Sequence, residues 1–465
     1  MKRVHLIGIG GSGLSGIARL LLESGYSVSG SDMQLTQLAL QLAAAGAQIS
    51  AEHKAENVRR ADVVVRSSAI PDDNPEVRAA QEAGIPVLKR AEFLGDLMRE
   101  RTGIAIAGTH GKTTTTAMIS WMLTRLGLDP TYLIGGVSLN LRANAHAGRG
   151  EYFVIEADEY DRMFLGLHPK LAVVTNVEHD HPDCFPTEGD FFAAFVQFAA
   201  NVLPRGKLLV CADDPGAVKL LQEILAPGDS TYSYGISPRE GIRPDFLGTD
   251  LEVASNGCFE YDAVHANQIL THIALAVPGE HNVRNSLAAL AVAQLLGESV
   301  ELAAKALEEY SGTGRRFEIR GEASGVTVVD DYAHHPSEIR ATLAAAKLRY
   351  PDRILWAVWQ PHTYSRTRTL FNDFVAAFDD ADHVIVTDVY AAREPKDEYF
   401  SAGALAREMN HSDARFIPDL AAVGEYLLSR LQLGDVLLVL SAGDADQISG
   451  TVLSGLSKNG RTGRV

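Results

Sequence analysis

Gly108-Thr109-His110-Gly111-Lys112-Thr113 sets an ammonium and hydroxyls against two glycines, a group suited to holding phosphate. An apolar run, "TGIAIAG", precedes it and a helical stretch follows from Thr113, which is the strand–loop–helix setting that a phosphate loop requires. Backbone N–H groups at such a helix start cradle phosphate, with help from the helix dipole. Lys112 is then expected to reach the β/γ phosphates, and the Thr113 hydroxyl to ligate Mg²⁺. The usual G-x-x-x-x-G-K-[ST] spacing is not met, because Ile106 stands where its first glycine belongs. The plain alternative is a glycine turn beside a chance Lys-Thr pair. As a loop residue, Lys112 is expected to contribute little to packing.

A second glycine loop opens the chain. Gly8, Gly10 and Gly13 form G-x-G-x-x-G, with Gly11 and Ser12 between them, and Asp32 ends the next apolar run. That is where a dinucleotide enzyme keeps its ribose-binding carboxylate. The loop fits a diphosphate generally, and NAD would leave the Lys112 loop without a role. A ligand-free β–α turn is the plain reading.

Further groups sit at the ends of apolar runs. Glu156 in "VIEADEYDRMF" and His181 in "TNVEHDHPD" follow strands of the same block and are expected to converge on the Lys112 loop. A carboxylate and an imidazole there suit Mg²⁺ among phosphate oxygens, imidazole being the less common ligand. His281 and Asn285 lie one turn apart near the start of "GEHNVRNSLAALAVAQLLG" and share a face open to an adenine, although an ordinary helix start looks the same. "DDYAHHPSEIRATL" crowds Asp330, Asp331, His334 and His335 into one loop, and "WQPHTYSRTRTLF" brings His362, Arg366 and Arg368 into another. For the His334–His335 pair no third metal ligand follows at zinc-like spacing.

The elements that must position these groups alternate strand and helix from residue 4 onward, which predicts parallel α/β sheets. Ligands then lie outside the carboxyl ends of the strands, where most of these motifs fall. Three consecutive α/β domains are expected: a Rossmann-like unit at 1–102, a P-loop-like unit at 103–312, and a second Rossmann-like unit at 313–465. From about 228 to 275, short runs such as "TYSYGI" and "THIALAVPG" predict an antiparallel excursion.

Composition narrows the class. The 465 residues are 46% hydrophobic and 22% charged, with a formal net charge of −17, which argues against a nucleic-acid-coating surface. Cys184, Cys211 and Cys258 form no C-x-x-C pair and suit a reducing cytoplasm. No apolar run approaches the roughly 20 residues of a membrane helix, and glycines break the signal-like start of the chain.

Taken in order, "GTHGKTTTT", "EADE", "VTNVEHDH", "HNVRN", "DDYAHHP" and "QPHTYSRTR" resemble the Mur ligases, the ATP-dependent amide ligases of peptidoglycan synthesis. The resemblance implies that the first domain takes a UDP-sugar, the second ATP, and the third the amino acid. It also implies that the shortened loop is the family form. Within the family the set lies nearest to members joining L-alanine to UDP-N-acetylmuramate, with murein tripeptide ligation as the alternative. A NAD(P) oxidoreductase and a nonenzymatic UDP-sugar sensor are more distant ones.

By position, the resemblance implies that Gly108, Thr109, His110, Gly111, Lys112, Thr113 and Thr114 hold nucleotide phosphate. His281, Asn285 and Asp331 would complete the ATP site. Thr113, Glu156 and His181 match the magnesium site. Gly8, Gly10, Gly11, Ser12, Gly13, Asp32, Ser67, Tyr332, His334 and His362 match substrate contacts. Lys112, Glu156, His181, His335 and Arg366 would serve the reaction. Tyr160, Thr363 and "VYAAREP" depart from the commoner family pattern. Hinges are expected near 101–103 and 312–314, so that the loops bearing His335 and Arg366 can approach the Lys112 loop and leave it.

Overall fold

Alternating apolar runs and glycine turns become three sheets in this computed structural model, which describes residues 2–202, 206–224, 230–237 and 241–462. The first sheet is wholly parallel, in the order Gln48–Ser50, Ser27–Ser31, Arg3–Ile7, Val63–Arg66, Val87–Lys89. Its central strands read as continuous Val, Leu and Ile because both faces are covered. The fold is α/β throughout, with Rossmann-like outer units and a P-loop-like centre.

The second sheet runs Gln268–Ala274, Phe259–His265, Phe246–Val253, Thr231–Gly235, Lys207–Cys211, Leu171–Val174, Thr102–Ala107, Tyr152–Glu156, Thr131–Ser138, Ala143–His146. From Phe246–Val253 to Thr131–Ser138 every pairing is parallel. The expected antiparallel excursion is therefore narrower than 228–275. Thr231–Gly235 extends the parallel sheet, and only the meander from Phe246 to Ala274 turns antiparallel. Thr131–Ser138 and its partner Ala143–His146 go beyond the strands expected from the sequence. Gly135 and Gly136 interrupt the apolar pattern there, and burial fades toward the strand's end.

The third sheet, Glu318–Ala323, Val326–Asp331, Val436–Leu440, Leu355–Trp359, His383–Val386, Ala414–Phe416, is parallel apart from its first strand. It carries apolar clusters on both faces, around Trp359 and Phe374 on one and Trp356 and Val423 on the other. One larger apolar cluster is continuous from the first sheet into the second.

Under the first sheet lies a buried carboxylate. Glu76 is 0% exposed and accepts from the Ser31 hydroxyl and the Asn57 amide, each at 2.5 Å, with the His53 ring at 3.3 Å. Burial alone would raise its pKa, yet the bonds from His5, Ser31 and Asn57 bring it down to about 2. The folded value lies below the unfolded one. The stabilisation is therefore present above about pH 4.3 and is lost as pH falls toward 2, about 3 kcal/mol in all. Denaturant unfolding should show Glu76→Gln less stable than wild type at pH 7, with the gap reduced by about half at pH 3. A gap independent of pH would assign the cost to packing instead. Ser31 immediately precedes Asp32, so this network also fixes the strand end beneath the first glycine loop.

Candidate functional site

The Lys112 loop is short because its strand is long: Ile106 is still inside Thr102–Ala107 and fully buried. The chain then turns through Gly108, φ +141°, and Gly111, φ +80°, before the helix Lys112–Arg125. A side chain at Gly108 would strike the Thr175 hydroxyl, and one at Gly111 would meet Asn285 Oδ1 at 2.9 Å, so both positions demand glycine. Lys112 Nζ bonds the carbonyls of Gly108 and Thr109 and pairs with Glu159 at 2.9 Å. Glu159 is only 1% exposed. Lys112 is therefore the counter-charge of a buried acid, which corrects the expectation of a loop lysine with little structural role.

Glu156 and His181 do converge on this loop, by different routes. Thr113 Oγ1 donates to Glu156 Oε1 at 3.0 Å, and Gly135 N–H donates to Glu156 Oε2 at 2.7 Å. Burial raises the Glu156 pKa. His181 reaches the loop through Glu159, at 3.6 Å, and also faces Asp180 at 3.7 Å. Burial works against its proton, but Glu159 and Asp180 raise its pKa overall.

The third unit sits directly on the second through the starts of its helices Pro336–Arg349 and Tyr364–Thr369, the latter placing Arg366 and Arg368 on a helix rather than in the expected loop. Arg366 grips Asp180 through two bonds of 2.9 and 3.1 Å, both side chains being 5% exposed, and Arg366 also touches His362 Nδ1 at 3.0 Å. His110 lies between Glu178 Oε2, at 3.0 Å, and Glu338 Oε1, at 3.1 Å. Burial opposes protonation of His110, but Glu338 and Glu178 raise its pKa to about 10. His335 caps the helix Pro336–Arg349, and Glu338 closes the capping box by accepting from the backbone of His334 and His335. Tyr332 stacks under Arg315 and Arg316, while His334 packs between Tyr332 and His362. Burial lowers His334 to about 3 and His362 to about 4, so both rings are neutral near pH 7, and it raises Asp331 to about 6.

A cavity of about 600 Å³ opens beside the loop, within the range of nucleotide-sized sites. His110, Thr113, Thr114, His281, Asn285 and Asp331 all line it, so residues from the second and third units enclose one space. Burial lowers His281 to about 4, leaving a neutral ring. The first glycine loop lies apart from this cavity. Gly10 N–H donates to Asp32 at 2.9 Å and Thr36 donates back to the Gly10 carbonyl. Ser67 packs against Gly8, and Arg90, paired with Asp158 at 3.0 Å, packs against Gly13. Ser12 opens the helix Ser12–Glu23, and its side chain lies outside the described residues.

Glu159, Glu178, Asp180, Arg316 and Glu338 were not singled out from the sequence. The first three lie inside the quoted motifs, and the capping box was the available signal for Glu338.

This is a three-unit α/β protein whose central phosphate-type loop is closed over by a third unit. Family models for "Mur ligase family, catalytic domain", "Mur ligase middle domain" and "Mur ligase, glutamate ligase domain" match residues 3–102, 106–293 and 315–443. The chain belongs to the Mur ligase family. It is 45% identical to the UDP-N-acetylmuramate–L-alanine ligase of Acidithiobacillus ferrooxidans, over 95% of each chain. The solved UDP-N-acetylmuramate–alanine ligase of Thermotoga maritima superposes with a TM-score of 0.82 at 28% identity, covering 99% of this chain and 100% of that one. A murein peptide ligase from Psychrobacter arcticus gives 0.69 at 26% identity, over 98% and 99%. Among the described residues, no helix is long and apolar enough to cross a membrane.

Proposed function

We propose that the protein joins L-alanine to UDP-N-acetylmuramate at the expense of ATP, releasing ADP and phosphate. The observation that carries this reading is the cavity at the Lys112 loop, walled by two units with Glu338 reaching His110 across it, while Arg366 ties the same two units together through Asp180. The full-length likeness to alanine ligases supports the choice of amine, and the lower TM-score of the murein peptide ligase makes tripeptide ligation the weaker reading. The first unit would take the UDP-sugar at Gly8–Gly13, with Asp32 and Ser67 beside it. The division at 312–313 lies in the gap between Ala274 and Glu318, and that at 102–103 falls just inside the strand Thr102–Ala107, at the end of the stretch that follows Lys89; hinges are proposed at both.

A carboxylate is a poor electrophile because its leaving group would be oxide. Transfer of the γ-phosphoryl group to the lactyl carboxylate gives an acyl phosphate, which the alanine amine attacks with loss of phosphate. The chain's part is positioning and charge neutralisation. Lys112 and the N–H groups of the Lys112–Arg125 helix would hold the phosphates. His281 and Asn285 would face the adenine, and Asp331 the nucleotide. Thr113 and Glu156 offer hard oxygen donors 3.0 Å apart, a pair that fits Mg²⁺, with His181 the third candidate ligand. When bound, Mg²⁺ neutralises phosphate oxygens. His334 and His362, neutral and lowered to about 3 and 4, are weak bases suited to orienting the amine rather than to taking its proton.

The test is phosphate release with ATP, UDP-N-acetylmuramate and one amine at a time. Release and a new amide with L-alanine are expected. Product with the tripeptide alone would reverse the choice, and NADH binding without UDP-sugar binding would move the protein to another class.

A further inference from the structure

The sequence offered the adjacent pair His334–His335 with no third metal ligand, but the fold joins His335 alone to two ligands from the second unit. One ligand atom each from His110, Glu178 and His335 lies within 4.8 Å of the others. We propose that these three residues form a metal site separate from the Thr113–Glu156 pair, taking one borderline divalent ion of the zinc class across the seam between the second and third units.

The donor set decides the class of ion. Two imidazoles and one carboxylate, with a position left open, are the ligands zinc accepts, whereas Mg²⁺ prefers oxygen throughout. The neighbours already act as an outer shell. Glu338 holds His110 Nδ1 at 3.1 Å, fixing the ring so that Nε2 faces Glu178 at 3.0 Å. A carboxylate behind a histidine is the usual support of a metal-bound imidazole. Ser337 donates to the other Glu178 oxygen at 2.8 Å.

An independent sign comes from His335. It is 3% exposed, its ring lies 4.8 Å from that of His110, and its Nε2 has no hydrogen-bond partner among the described residues. Its Nδ1 accepts from Ser337 N–H at 3.4 Å and lies 3.9 Å from Glu178, whereas a buried Nε2 without a partner is costly unless something binds there.

Ligation needs only small side-chain rotations, since zinc bonds of about 2.0–2.2 Å in a tetrahedron set ligand atoms roughly 3.4 Å apart, against 3.0 Å now between His110 and Glu178 and at most 4.8 Å within the group. The ion would replace the proton on the edge shared by His110 and Glu178, while the Nδ1 proton stays with Glu338. Two neutral imidazoles, Glu178, Glu338 and a divalent ion then sum to zero charge. Because His110 belongs to the phosphate loop and His335 to the third unit, a bound ion pins one unit on the other.

The test uses the full chain, stripped of metal and free of nucleotide, titrated calorimetrically with Zn²⁺ alone. One tight equivalent is expected. His335→Ala and Glu178→Gln should each weaken it by at least about tenfold, and the outer-shell change Glu338→Gln by about 10–100-fold. Glu156→Gln, which alters the oxygen pair, should leave zinc affinity unchanged. Anomalous scattering at the zinc edge should place the ion between His110, Glu178 and His335. This keeps the test decisive if His335→Ala, which removes a helix cap, fails to fold. The proposal is overturned by no tight binding, by affinity indifferent to His335→Ala, by loss with Glu156→Gln, or by a peak elsewhere. No substrate enters the measurement, so its outcome is separate from that of the ligase assay.

Discussion

Replacing Lys112 by alanine should cut turnover by about 10³-fold, the scale of a strong electrostatic contribution to a charged transition state. The structure adds a second consequence. Lys112 neutralises Glu159, which is 1% exposed, so the alanine variant strands a buried carboxylate and should also lose about 3–5 kcal/mol of stability. Pairing Lys112→Met with Glu159→Gln separates the two effects. The pair should recover most of the stability in denaturant unfolding while turnover stays low. Recovery of turnover together with stability would show that Lys112 acts only as a counter-ion, and would remove it from phosphate handling.

That second consequence marks the limit of what the sequence shows. The glycine loops, their flanking strands and the strand-end positions of Glu156 and Asp331 are legible because apolar period and glycine punctuation are local signals. Which charged groups pair is not. Glu338 lies 228 residues from His110, and Asp180 lies 186 from Arg366. No spacing rule reaches across two units. The strand Thr131–Ser138 escaped for a local reason, since its glycines erase the pattern just where Gly135 N–H must approach Glu156. The antiparallel excursion was drawn too wide because "TYSYG" alternates like an exposed strand although Tyr234 is 1% exposed.

Arg366→Ala should disconnect the third unit from the second. Asp180 is 5% exposed; burial would raise its pKa, but Arg366 and the neighbouring histidines hold it well below the usual carboxylate range. With Arg366 gone, a buried charge loses its partner, at a cost of about 3–5 kcal/mol that hydration of the opened seam relieves. The closed-to-open ratio should then fall by roughly 10²–10⁴-fold, and turnover should fall as the open form takes over, because acyl-phosphate chemistry needs the assembled, water-excluding site. Small-angle scattering with UDP-N-acetylmuramate and a nonhydrolysable ATP analogue measures this. Wild type should compact to the arrangement seen here, in which His110 touches Glu338, and Arg366→Ala should stay expanded. Adding Asp180→Asn to Arg366→Met removes the stranded charge and should restore compaction without restoring turnover, since Arg366 also touches His362. An Arg366→Ala radius of gyration equal to that of liganded wild type would show that the pair is not the latch. If the free wild-type protein already scatters as the closed form, the hinges at 101–103 and 312–314 do not move, and the same residues perform the ligation from a preassembled site.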